Sequence, residues 1–168
     1  MSMHHTTTTR KFAAALLALA LLFTCVACGQ GGDSNTTAPE GTLEELMAKL
    51  YENAADIESP MTMTMVVTDE NAAYYLGSTD VPYTEALASD AAISSIPHSV
   101  VLVRLEEGAD IEAAKTEIKQ KVDPRKWICV GVETDEVVVD NLGNLVFLVM
   151  SPNAQGYHQA FLKLAESK

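Results

Sequence analysis

The chain has 168 residues, with 23 Asp and Glu against 11 Lys and Arg, giving a formal net charge of −12. Acidity of that degree speaks against nucleic acid as a partner, whose binders carry basic patches, and against electrostatic docking on anionic lipid. It suits a solvated outer-surface protein kept soluble by its charge.

The first element in chain order is a targeting segment. Arg10 and Lys11 precede an apolar run of twelve residues, Phe12 to Phe23, and Thr24-Cys25-Val26-Ala27 leads to Cys28. A charged start, a short apolar run and a small residue before the cleavage point describe a secretory signal. Twelve residues are short against the roughly 20 that span a bilayer. A cysteine directly after the small residue resembles the lipobox of bacterial lipoproteins. That resemblance implies cleavage ahead of Cys28, which becomes the lipid-bearing N-terminus on the outer face of the cell membrane. Two or more acyl chains give stable anchoring where one gives marginal binding. The departure from the pattern is Cys25, which stands where Leu is usual; Cys25 as acceptor, an uncleaved anchor and plain secretion are the alternatives.

Three segments follow from this: a lipoprotein signal peptide over 1–27, a lipidated Cys and flexible tether over 28–41, and one domain over 42–168. Loss of 1–27 removes two basic residues and no acidic one, leaving 141 residues with a formal charge of −14. The tether residues Gly29 to Gly41 have no apolar periodicity and span about 20 Å as a random coil. With Cys25 removed and Cys28 lipidated, only Cys129 remains, so no intramolecular disulfide forms. Its neighbours Trp127, Ile128 and Val130 are apolar, which predicts a small core residue rather than a nucleophile.

Thr42 with Glu45 three residues on predicts a capping box. Leu43, Leu46, Met47, Leu50 and Ala54 continue at helical spacing. Met61 to Thr68 alternates Met or Val with Thr and predicts a strand. Its Met61, Met63, Met65 and Val67 side is expected to be a core stripe. Asp69 is placed to cap a short helix through Leu76, stopped by Gly77. Residues 78–97 carry little periodicity, with a weak strand near Glu85 to Ala91. His98 to Leu105 is apolar on both faces and predicts a central strand. Asp110 caps a helix with Ile111, Ala114, Ile118 and Val122 inward, ended at Asp123-Pro124. Thr134 to Val139 and Leu145 to Met150 predict two strands joined by a Gly/Asn-rich turn over 140–144; the second is again central. A last helix buries Tyr157, Phe161, Leu164 and Ala165. The fold class expected is α+β, a mainly antiparallel sheet of four to five strands with helices packed on it.

The segments Ser99 to Gly108, Asp110 to Val122 and Gly143 to Ser151 resemble a family of small lipoproteins from Gram-positive bacteria, catalogued as a domain of unknown function. The resemblance covers roughly residues 42–166 and the lipobox. It implies location and architecture, and supplies no catalytic residue.

Candidate chemistry is sparse. Met61, Met63 and Met65 would point to one side of a strand, and soft sulfur ligands select Cu(I); His98 could add a nitrogen. Against that metallochaperone alternative stands Met as a pliable core filler, and no metal or other cofactor is expected. Glu133, Asp135, Glu136, Asp140 and Asn141 form the densest acidic cluster but lack calcium-loop spacing and suit a solvated hairpin rim. His158 is expected to be exposed. Tyr74, Tyr75, Tyr83 and Trp127 finish the core or line a groove. Arg104 is expected to pair with an acid at a strand end. No local motif for a nucleophile, a metalloprotease or a phosphate loop occurs. The function expected is a non-catalytic, membrane-anchored extracytoplasmic domain that binds an envelope protein or a small ligand. The enzyme alternative is an envelope hydrolase using a carboxylate pair.

Overall fold

The capping box at the head of the domain forms as its residues require. In the computed structural model, which describes residues 37–166, the Glu45 N–H donates to Thr42 Oγ1 and the Thr42 N–H donates to Glu45 Oε2. Helix α1 (Leu43–Asn53) follows and buries Leu43, Leu46, Met47 and Leu50. Cys28 and the signal segment lie outside the described residues. Strand β1 (Thr62–Val66) and helix α2 (Ala72–Leu76) come next, and Gly77 ends α2 in the left-handed region at φ 73°. Asn71, not Asp69, precedes α2, and its side chain accepts from the Thr68 N–H at 2.7 Å. The chain continues through β2 (Tyr83–Ala91), β3 (Ser99–Leu105) and α3 (Ile111–Lys121), whose start is capped by Asp110. Strands β4 (Val137–Leu142) and β5 (Leu145–Met150) and helix α4 (Ala154–Leu162) complete it.

The five strands form one sheet in the order β1-β2-β3-β5-β4, and every neighbouring pair is antiparallel. β3 is the middle strand and β5 lies beside it, as their two-sided apolar character predicts. Helices cover both faces. On one, Val101, Val103, Val146 and Leu148 pack with α2, α3 and Trp127. On the other, Val100, Leu102, Phe147 and Val149 pack with α1 and α4. An alternating strand would leave one of these helix pairs without an apolar floor.

Several strand boundaries differ from expectation, β1 among them, which spans only Thr62–Val66. Thr134–Glu136 is a 3-10 turn, so β4 begins at Val137 and runs on through Asp140 and Asn141. Those turn-forming residues join the ladder because they stand opposite Phe147 and Val146, which are fully buried. The hairpin loop shrinks to Gly143 and Asn144. Gly143 at φ 55° occupies the first central position, as a type II′ hairpin requires. β2 is longer than the weak strand expected, because its Ala86 and Ala88 pack under the helices on small side chains alone. Arg104 pairs with Glu85 at 2.6 Å.

Candidate functional site

Among the described residues β1 pairs with β2 alone, and no strand covers its other edge, where the Val66 carbonyl accepts from Asn71 Nδ2 at 3.1 Å. The Ala92 N–H donates to the Met61 carbonyl at 2.8 Å, and the Val67 N–H donates to the Ala86 carbonyl at 2.9 Å. In an antiparallel ladder the inward and outward backbone groups alternate. The peptide groups of Met61, Met63, Met65 and Val67 therefore face β2. Those of Thr62, Thr64 and Val66 face outward.

The expected core stripe is overturned. Met61, Met63 and Met65 are 81%, 58% and 45% exposed, while Val67 on the same side is buried. The alternation was right, but its covering helix is short. Val67 packs with Ala72 and Leu76 of α2, and a five-residue helix reaches only about 7.5 Å. The Met residues extend past it at the sheet edge.

Around them lie the other large apolar side chains that are exposed among the described residues: Val66, Tyr74, Ile93 and Ile128. Val66 is on β1 itself. Ile93 follows Ala92, which bonds to Met61, and the Ile128 N–H donates to the Ser94 carbonyl. Tyr74 covers Lys126, whose partner Asp90 stands opposite Met63 in the ladder. Exposed apolar groups thus line the β1 edge of the sheet, with Val66 on the face opposite the methionines. Residues 61–67 carry no charge, whereas open edges are normally guarded by charged side chains or proline.

A buried cation supports this end. The Lys126 ammonium lies 4.5 Å from the Tyr74 ring centroid, 4.7 Å from Tyr75 and 5.4 Å from Trp127. It also contacts Asp90 Oδ2 at 3.1 Å and donates to Ser99 Oγ at 3.0 Å. Burial pushes the Lys126 pKa down, against the pull of the Asp90 charge and hydrogen bond. Tyr75 and Trp127 are buried, Tyr83 is half-buried, and Tyr74 is 47% exposed. Cys129, expected in the core, is exposed and takes φ 63°. Trp127 fills the core position, and the left-handed turn two residues later swings the thiol outward.

His98 does not join the methionines. It precedes β3 on the α1/α4 side of the sheet, and its side chain is buried at 1% exposure. Nε2 lies 2.9 Å from the Tyr51 hydroxyl and Nδ1 lies 3.2 Å from Ser151 Oγ. Tyr51 O–H donates to Ser89 Oγ at 3.0 Å. Its oxygen is then left to accept Nε2–H, and Nδ1 accepts from Ser151. Burial pulls His98 from 6.5 to about 4, only partly opposed by Asp90, and raises Tyr51 to about 12. Ser151 and His98 have the residue types of a nucleophile and base, but both are sealed in the core. The outer end of the chain, Tyr51 and Ser89, floors a groove of about 260 Å³ between α1 and β1–β2, with Met47, Leu87, Thr62 and Thr64 as walls.

The acidic cluster is dispersed. Glu136 caps the Glu133 N–H at 2.8 Å, and Asp140 accepts from His158 Nε2 at 2.6 Å. His158 is therefore a half-buried partner of Asp140 rather than an exposed residue. Burial pushes the Asp140 carboxyl up, but the His158 hydrogen bond, the Asn141 N–H and nearby positive charge hold it below its ordinary value. Lys115 reaches Asn141 Oδ1 at 2.8 Å and Glu112 at 2.9 Å beside a cleft of about 480 Å³ between α3 and β4. Among the described residues no three His, Cys, Asp or Glu side chains converge to hold a metal.

Sequence reasoning missed Lys126, Asp90, Tyr51, Ser89 and Ser151, which only the packing brings together. The tandem Tyr74-Tyr75 and the Lys126-Trp127 pair were the available signal for the cation. No family model, curated protein or solved structure matches this chain.

Proposed function

We propose that this chain is a lipid-anchored domain on the outer face of the cell membrane, held by Cys28, that works by binding a protein partner at the β1 edge rather than by catalysis. The observation that carries the reading is the gathering of exposed Met61, Met63, Met65, Ile93 and Ile128 around the uncharged outer strand β1, whose free side no described strand covers. Contiguous exposed apolar surface marks interaction sites, and an open strand edge binds by strand addition. The lipobox pattern at Cys28 supports the location. The sealed His98, with its low pKa, and the Asp140 carboxylate, held by hydrogen bonds from His158 and the Asn141 N–H, support a non-catalytic role.

A photo-crosslinking residue at Met63, with Gln120 on α3 as control, tests the site in intact cells. Discrete adducts from position 63 and none from position 120 are expected; no adduct at 63 removes the reading. Cys28→Ser should release or mislocalise the product with residues 1–27 still attached, and mass spectrometry finding an unmodified Cys28 refutes the anchor.

The exposure of the three thioethers on one side favours a second reading, Cu(I) capture for a metallochaperone. Successive Met residues on a strand stand about 7 Å apart, so one ion draws on two sulfurs more readily than three. Competition with a Cu(I) chelator decides it: tight stoichiometric binding lost in Met63→Leu supports the metal.

A further inference from the structure

We infer that the occupant of the β1 edge is a second copy of this chain, paired antiparallel about a two-fold axis through Thr64. The inference rests on the reading of β1 as an interface and names what covers it.

The sequence of β1 is self-complementary in this register. A mate on the open edge must present outward backbone groups opposite those of Thr62, Thr64 and Val66. A second copy turned about Thr64 does so. Thr64 meets Thr64 of the other copy, and Thr62 meets Val66 in both directions. The Thr64 pair exchanges two backbone hydrogen bonds and each Thr62–Val66 pair adds one from the Val66 N–H, about four in all, because each Val66 carbonyl already accepts from Asn71 Nδ2. The intervening positions pair Met63 with Met65, twice, as non-hydrogen-bonded pairs, whose side chains approach more closely. The two faces match as well. All methionines fall on one side of the joined sheet, and all threonines with Val66 on the other.

Chemistry distinguishes this mate from an unrelated extended peptide. Such a partner would need side chains that complement Met on one face and Thr on the other, whereas a second copy supplies both by symmetry. Charge agrees. Each copy is strongly acidic, and copies repel except where charge is missing, and residues 61–67 are uncharged. Joining two sheets removes both open β1 edges at once, the standard hazard of an unguarded strand. An isologous contact of this kind closes on itself as a dimer instead of propagating.

The test uses the full lipidated chain in mild detergent, with mass read by native mass spectrometry. Wild type is expected to be a dimer that tightens as salt screens the acidic repulsion. Thr64 is exposed, so Thr64→Lys and Thr64→Glu should keep the fold, checked by circular dichroism. Each variant alone sets like charges face to face across the axis and should be monomeric. An equimolar mixture of the two should recover a mixed dimer, because residue 64 faces its own counterpart only in this register. A monomeric wild type, or a dimer indifferent to Thr64→Lys, overturns the inference, and a mixture that stays monomeric overturns pairing at Thr64. If wild type is monomeric while Thr64→Lys abolishes the Met63 crosslink to another protein, the second copy is excluded and the partner-binding reading stands.

Discussion

The ammonium of Lys126 sits 3.1 Å from the carboxylate of Asp90 on the inner strand β2, with only 3% of the lysine side chain exposed. The pair bolts the segment carrying Trp127 to the sheet directly behind the exposed methionines. Three aromatic rings complete the surroundings of the cation.

Removing one partner of this pair should therefore cost more than removing both. Asp90→Ala leaves an uncompensated cation in a buried site, a change worth about 3–5 kcal/mol. Lys126→Met combined with Asp90→Leu should lie closer to wild type, since well-packed apolar groups often replace a buried ion pair without loss. Urea unfolding of the singles and the double gives the coupling energy. Additive single effects would show that the two charges act independently.

Acid should loosen the fold in a window set by His98. Its folded pKa is about 4 against 6.5 for the free side chain. Between those values the unfolded chain binds the proton and the folded one does not, so stability falls as pH drops below about 6.5 and levels off below about 4. The shift corresponds to roughly 3 kcal/mol. His98→Gln should flatten this part of the pH profile, measured by urea midpoints. The contribution of Asp140 is lost separately, as pH falls through its own lowered pKa. A wild-type profile without slope between pH 6.5 and 4 would contradict the buried neutral ring.

Gly77 and Gly108 offer a paired test of backbone constraint. Both have positive φ, at 73° and 80°. A Cβ on Gly77 would run into the Lys121 and Val122 backbone at the end of α3, whereas one on Gly108 meets nothing. Gly108→Ala should cost about 1–2 kcal/mol from conformation alone. Gly77→Ala adds an overpacking cost of about 1–3 kcal/mol and should melt at a clearly lower temperature. Equal melting temperatures would mean that α2 and α3 can separate without penalty.

What the sequence determined by itself was local order and the inner sheet. Thr42 and Glu45 mark the start of α1 because a capping box closes within four residues. β3 and β5 declare themselves central because apolar groups on both faces have no other use. The alternation at 61–67 likewise told which side chains share a face. Whether that face is covered was a tertiary question, decided by the sheet order that leaves β1 at the edge and by an α2 too short to reach beyond Val67. The same holds for Cys129, whose apolar neighbours suggested burial until a left-handed turn carried the thiol outward. Tyr51 and His98, 47 residues apart, meet only because α1 packs across the β2–β3 ladder. Period and composition are local quantities, while cover and convergence depend on which elements the fold stacks together, so the strands could be read in advance and the exposed edge could not.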